Sequence, residues 1–200
     1  MNADQLDHLR AMLKRFMAVS ASNDAKRNAA NVRDFIARVA HPWRRATLEG
    51  HLTASAWVLD RTQAQVVMLH HRKLNRWLQP GGHIDDNDES WRTAAMRELK
   101  EETGLKQFVA QPDDADLFDV DVHAIPARKD EPAHLHYDLR FLFVADVDVD
   151  DEGAFSVNAD ESNDCRWFPL TELANDTSLG PETHRMIELS IRRLPTTGHS

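Results

Sequence analysis

The 200-residue chain has a single cysteine, Cys165, so no disulfide can close within it and nothing ties it to an oxidising compartment. No apolar run approaches the roughly 18 residues of a membrane span. The opening stretch MNADQLDHLRAMLKRF mixes acids and bases through every turn and lacks the apolar core of a signal peptide. Together these absences predict a soluble, cytoplasmic protein. Gly-x-Ser-x-Gly and phosphate-loop lysine motifs are missing, so nothing points to a serine nucleophile or a P-loop. An excess of positive charge is missing as well. At a formal charge of −9 the chain gains no counterion-release energy from a polyanion, which excludes a large nucleic-acid footprint. A small phosphorylated ligand stays open if cations bridge it to carboxylates.

With 42% hydrophobic and 28% charged residues, the chain carries enough apolar material for a sizeable core. Its charge is uneven. Between Asp113 and Asp164 there are 16 acids against Arg128, Lys129 and Arg140, and the first 50 residues carry nine basic side chains against five acidic ones. The plainest reading of any one of those acids is a solvated surface.

Two helical patterns open the chain, one on Leu6, Leu9, Leu13 and Phe16, the other on Val32, Phe35, Ile36 and Val39. Ser20 to Asp24 supplies the break between them, and His41-Pro42 ends the second. The pair fits a core layer, a lid or a dimer contact, which leaves a homodimer open. From His51 the texture changes. HLTASAWVLD and AQVVMLHH read as strands, RKLNRWLQPGG as a basic loop, and Glu89 to Thr103 as a long helix stopped by Gly104. Strands follow over Leu117–Ile125 and Leu135–Val147, then CRWFPL as a last strand, and Pro181 opens a final amphipathic helix. Strands interleaved with helices predict a mixed sheet covered on both faces. The expected organisation is an N-terminal helical extension over 1–45, packed on or capping a main α/β domain over 46–196.

The chemistry concentrates in GGHIDDNDESWRTAAMRELKEETGL, Gly81 to Leu105. Glu98, Glu101 and Glu102 stand at i, i+3 and i+4, so a helix puts the three carboxylates on one face. Like charges there repel, and the negative end of the helix dipole adds to the cost, so a bound cation would explain the cluster. Oxygen ligands suit Mg²⁺ or Mn²⁺. Solvated helix faces also show this spacing, and the tripeptide alone is a weak signal. The surroundings strengthen it: Pro80-Gly81-Gly82 lets backbone approach a ligand closely, and Arg97 can pair with carboxylates.

The segment resembles the Nudix box, the signature of the Nudix hydrolase family: Gly, five residues, Glu, seven residues, Arg-Glu, apolar, any, Glu-Glu, any, Gly, apolar. Arg97-Glu98-Leu99-Lys100-Glu101-Glu102-Thr103-Gly104-Leu105 matches its second part position for position. Glu89 stands seven residues before Arg97, but six residues, not five, separate it from Gly82. A loop absorbs an extra residue at little cost, with Asn87 or Asp88 expected to cap the helix that follows. The resemblance implies a Nudix-like α/β/α sandwich and an Mg²⁺- or Mn²⁺-dependent pyrophosphohydrolase acting on a nucleoside diphosphate linked to another moiety. It implies Glu98, Glu101 and Glu102 as metal ligands, with the Gly82 carbonyl as a further one and Glu98 as candidate base. Arg97 and Glu89 would orient them. Glu161 is the expected carboxylate outside the box, with Glu152 and Asp160 as competitors. Arg72, Lys73 and Arg76 are expected to contact substrate phosphates. A Nudix-fold module that binds a nucleotide without cleaving it is the alternative, and a carboxylate-rich metal protein with no nucleotide role is a third reading.

Other residues read more plainly. His134 and His136 share one face of a strand and His70-His71 lies near a strand end, but two histidines fall short of a metal site without further ligands. Trp77 reads as a packing indole before a base-stacking one, and Cys165 as a buried structural thiol.

Overall fold

A computed structural model of the protein describes residues 1–110, 117–128, 132–147, 149, 154–157 and 162–194. Glu152, Asp160 and Glu161 lie outside the described residues. The chain divides into two compact units. The first comprises Met1–Ala56, Gly81–Lys100 and Gln111–Leu142; the second comprises Trp57–Pro80, Glu101–Ala110 and Phe143–Ser200.

In the first unit, α1 (Ala3–Val19) starts at a reciprocal cap: the Asn2 side chain accepts from the Gln5 N–H while Gln5 reaches back to the Asn2 N–H. Ser22 caps α2 (Asn23–Arg38) in the simpler way. Leu9, Leu13, Phe16, Val32, Phe35 and Ile36 are all buried, so the apolar stripes of the two helices form a core layer of this chain. Beneath them lie β1 (Gly50–Leu59), β4 (Gly81–His83), β6 (Asp119–Ile125) and β7 (His134–Ala145). β4 pairs antiparallel with β1 and β6 antiparallel with β7. β7 runs in the same direction as β1: the Leu135 N–H donates to the Glu49 carbonyl, and farther along the Thr53 and Ser55 hydroxyls donate to Asp138. Antiparallel and parallel pairings together make the sheet mixed, as the alternation of strands and helices predicts.

Strand alternation sorts this part of the sheet into two unlike faces. Leu52, Ala54 and Ala56 share one face with Tyr137, Leu139, Phe141 and Val120, all buried. Helix α2 stacks Phe35 on Tyr137 at 4.0 Å, and Arg92 of α3 (Trp91–Thr103) lies over the Phe141 ring at 5.8 Å. The other face is polar: His51, Thr53 and Ser55 on β1, His83 on β4, Asp119, Asp121 and His123 on β6, and His134, His136, Asp138 and Arg140 on β7.

The second unit contains the end of β1 with β2 (Gln65–His71), β3 (Arg76–Leu78), β5 (Phe108–Ala110), the end of β7 and β8 (Ser162–Pro169). β8 and β3 flank β2, and β5 pairs with β7, all antiparallel. α4 (Leu170–Leu173) and α5 (Pro181–Ile191) follow. Pro181 opens α5 as its position predicts, and Ser190 on this helix accepts a hydrogen bond from the Trp57 indole at 2.8 Å. The elements together make an α/β fold: a mixed sheet with helices, preceded by the N-terminal helical segment of α1 and α2. Three short strands, β3, β4 and β5, escape the sequence reading, because three-residue ladders are held by backbone bonds and carry no side-chain period. No helix among the described residues is long and apolar enough to cross a membrane.

Candidate active site

Helix α3 begins later than Glu89, at Trp91, because Ser90 takes the capping position. Ser90 Oγ accepts from the Thr93 N–H at 3.1 Å and Thr93 Oγ1 accepts from the Ser90 N–H at 2.7 Å. The cap expected from Asn87 or Asp88 is thus supplied by Ser90. Trp91, Ala94, Ala95 and Leu99 are buried, which fixes the rotation of the helix about its axis. Glu98, Glu101 and Glu102 lie on this one unbroken helix at the spacing of a shared face. The helix stops at Gly104, whose φ of 72° is left-handed and whose added Cβ would lie 2.8 Å from that of Ser156.

Asp88 has a different task. Its carboxylate receives Arg97 Nε at 3.1 Å and Nη2 at 2.9 Å, and also the Asp85 N–H at 2.8 Å. Its side chain is 8% exposed, so this is a positioned ion pair rather than a surface one. Arg97 donates further to the His83 carbonyl at 2.8 Å and to Glu98 Oε1 at 3.0 Å. Asp88 first and Glu98 after it hold the guanidinium firmly in its charged form, against the opposing effect of burial. Counting forward from Gly82, Asp88 falls where the box pattern has its first glutamate; Glu89 is exposed and, among the described residues, makes no ion pair. The ion pair with Arg97 is therefore made by Asp88, whose carboxylate is one methylene shorter than that of Glu89.

Gly82 lies against Glu98. A Cβ on it would lie 2.7 Å from Glu98 Cδ and Oε2, so the Glu98 carboxylate rests directly on the glycine backbone. The N-terminal helices hold the loop from outside. The Met1 ammonium donates to the Asp86 carbonyl at 2.7 Å, and Gln5 Nε2 donates to the Glu89 carbonyl at 2.6 Å. The Trp91 indole donates to the Gln5 carbonyl at 3.0 Å, and Trp43 and Arg44 both donate to the Asp86 carboxylate. The extra residue is thus accommodated in a braced turn.

The remaining site expectations separate. Arg72 and Lys73 are exposed on the turn between β2 and β3, and Arg76 is exposed as the first residue of β3. Trp77 packs against Phe168 at 4.8 Å and beneath Arg166 at 4.9 Å, consistent with a packing indole. Cys165 is buried, and burial first, with Asp164 after it, pushes its thiol well above the usual range. Glu161 falls in the undescribed stretch.

Sequence reading missed the polar sheet face altogether. Arg140 lies 2.8 Å from Asp138, 3.1 Å from Asp119 and 3.4 Å from Asp121, with all four side chains at most 10% exposed. Asp138 also accepts from Thr53 and Ser55. These three aspartates are not the solvated acids that the local charge excess suggested. Beside them the histidines gather: the His51 ring lies 5.0 Å from His83, 5.1 Å from His134 and 4.7 Å from His136, and His123 lies 5.5 Å from His136. Only the alternation of His134 and His136 hinted at this, since the partners come from other strands.

Burial, and after it the neighbouring His51, His123, His83 and His134, push the His136 pKa down from 6.5 to about 2. The unfolded chain then binds a proton below about pH 6.5 that the fold refuses, so this group's stability contribution is present above that pH and lost as pH falls. His123 works in the opposite sense: burial opposes its charge, but Asp121 and Asp138 outweigh it and raise its pKa. A difference measurement separates the two. In the presence of chelator, urea midpoints followed from about pH 8 to 5 should fall less steeply in His136→Gln than in the parent chain; equal slopes would refute the assignment.

The class, a hydrolase acting on diphosphate bonds, follows from a family match rather than from the helix alone. The chain belongs to the NUDIX family: that family's sequence model, described as the NUDIX domain, matches residues 50–189. Among curated proteins no sequence relative matches. Solved structures share the fold. A NUDIX-family hydrolase from Clostridium perfringens is 24% identical, with a TM-score of 0.50 over 72% of this chain and 95% of that one. The NUDIX domain of Shewanella oneidensis NrtR, solved with ADP ribose, is 19% identical, with a TM-score of 0.50 over 81% of this chain and 97% of that one.

Proposed function

We propose that this enzyme is an Mg²⁺- or Mn²⁺-dependent pyrophosphohydrolase that cleaves a P–O–P bond in a nucleoside diphosphate linked to another moiety. The observation that carries the reading is the Glu98 carboxylate seated on Gly82 and held by an Arg97 that Asp88 pins in place. The donors fit the ion: Glu98, Glu101 and Glu102 with the Gly82 carbonyl offer oxygen alone, which suits a hard divalent cation. When bound, such an ion neutralises the diphosphate and lowers the pKa of its water. In this reading Glu98 takes a proton from an attacking water, a role supported by the hydrogen bond from Arg97 that orients it and by the room that Gly82 leaves it. Glu161 is the proposed carboxylate outside the box, and Arg72, Lys73 and Arg76 the proposed phosphate contacts.

The binding of ADP ribose in the NrtR domain supports including diphosphates of this chemistry in the test. A panel of nucleoside triphosphates, dinucleoside polyphosphates, nucleotide sugars and coenzymes, with Mg²⁺ and with Mn²⁺, should yield phosphate-bearing products from at least one class. Ligand affinity without products across the panel would replace this reading with that of a nucleotide-binding module.

A further inference from the structure

The polar sheet face of the first unit holds a donor set unlike the one on α3. His51, His83 and His136 each offer a ring nitrogen, and these three atoms lie within 4.8 Å of one another. We propose that these three histidines form a second metal centre, for a transition cation of the zinc class, separate from the carboxylate helix.

Three features support it. First, the donors come from β1, β4 and β7, three strands whose relative positions the sheet fixes. Three imidazoles around a tetrahedral ion with bonds of about 2.0–2.1 Å stand roughly 3.3–3.4 Å apart. Closing from the present spacing takes side-chain rotation of His83 and His136, which are half-buried, while His51 is fully enclosed. Second, imidazole nitrogen selects zinc, copper, nickel or iron over magnesium, so this centre and an Mg²⁺-loaded helix would not compete for one ion. Three protein ligands leave the fourth position for water or a ligand oxygen.

Third, the neighbouring charge favours a cation. Asp119, Asp121 and Asp138 gather around Arg140, with His123 beside Asp121, so three buried carboxylates face one fixed positive charge and one titratable imidazole. His123 links that cluster to the histidines, with Nδ1 3.0 Å from Asp121 and its ring 5.5 Å from His136. Buried carboxylates in excess are costly unless compensated. A divalent ion on His51, His83 and His136 places compensating charge on the same face, two residues along β7 from Asp138.

The test uses the full-length, metal-stripped chain equilibrated with Zn²⁺ in a large excess of Mg²⁺. The expected result is one zinc retained per chain, with X-ray absorption fine structure showing imidazole ligation. His83→Gln and His136→Gln, at the half-buried positions, should each weaken zinc binding by at least about a hundredfold, more than loss of a supporting partner alone. Thermal unfolding of the metal-free variants checks that they fold. A Glu101→Gln/Glu102→Gln chain should retain its zinc, which separates failure of this proposal from failure of the pyrophosphohydrolase reading. Absence of bound zinc in the parent chain, oxygen-only ligation, or zinc lost with the glutamates and kept without the histidines would each overturn it.

Discussion

Glu101→Gln and Glu102→Gln are each expected to lower kcat by about 10²- to 10³-fold while leaving the fold intact. Removing one charged ligand forfeits several kcal/mol of transition-state stabilisation, and each factor of ten corresponds to about 1.4 kcal/mol. Glutamine keeps the shape and helix propensity of glutamate, so α3 has no reason to unwind. The substitution even relieves like-charge repulsion of roughly 0.2–0.5 kcal/mol per pair at this spacing, close to the negative end of the helix. The signature is therefore opposed in sign: activity falls, the unfolding temperature of the metal-free chain holds or rises, and the stabilisation by Mg²⁺ shrinks. A variant that merely damaged the fold would lose both activity and metal-free stability. Undiminished metal-dependent turnover in both variants would dispose of the role assigned to the cluster.

Arg140→Met should cost about 3–5 kcal/mol of stability, the range for removing one partner from a buried ion cluster. Arg140 is 3% exposed as a side chain, and Asp138, Asp119 and Asp121 surround it. Burial works against its charge, and those three carboxylates outweigh it and hold it protonated. Methionine fills much of the volume, so the loss reports uncompensated carboxylates rather than a cavity. Adding Asp138→Asn should recover part of the loss, since the amide oxygen of the new side chain can still accept from Thr53 and Ser55 while one negative charge disappears. Urea unfolding of the two single variants and the double variant measures this coupling. A loss below about 1 kcal/mol for Arg140→Met would show that the network is solvated and inconsequential.

The chain's local chemistry was legible wherever one element contains all the participants. Glu98, Glu101 and Glu102 share a face because 3.6 residues make a turn, and Gly104 ends the helix because only glycine adopts its φ freely. β1, β2, β6, β7 and β8 announced themselves by alternation and β-branched or aromatic content, and the N-terminal helices by their apolar stripes. The box resemblance then named the family from nine consecutive residues.

What depended on distant parts of the chain was not legible. The box spacing singled out Glu89 as an orienting residue alongside Arg97, but the carboxylate that holds the guanidinium is that of Asp88, in a turn from His83 to Ser90 that Met1, Gln5, Trp43 and Arg44 brace. Arg140 entered the sequence reading only as a charge, and three aspartates around it as surface. Strand register decides otherwise: β6 sets Asp119 opposite Arg140 and Asp121 opposite Asp138, and a slip of one residue would send each to the other face. The histidines make the same point. His51, His83 and His136 are 32 or more positions apart in the chain. No local period relates them, and only the pairing of β1 with β4 and its alignment with β7 brings their rings together. The sequence by itself determined the carboxylate helix, because a helix is a local rule. The tertiary structure alone decided the polar sheet face, because strand pairing is not.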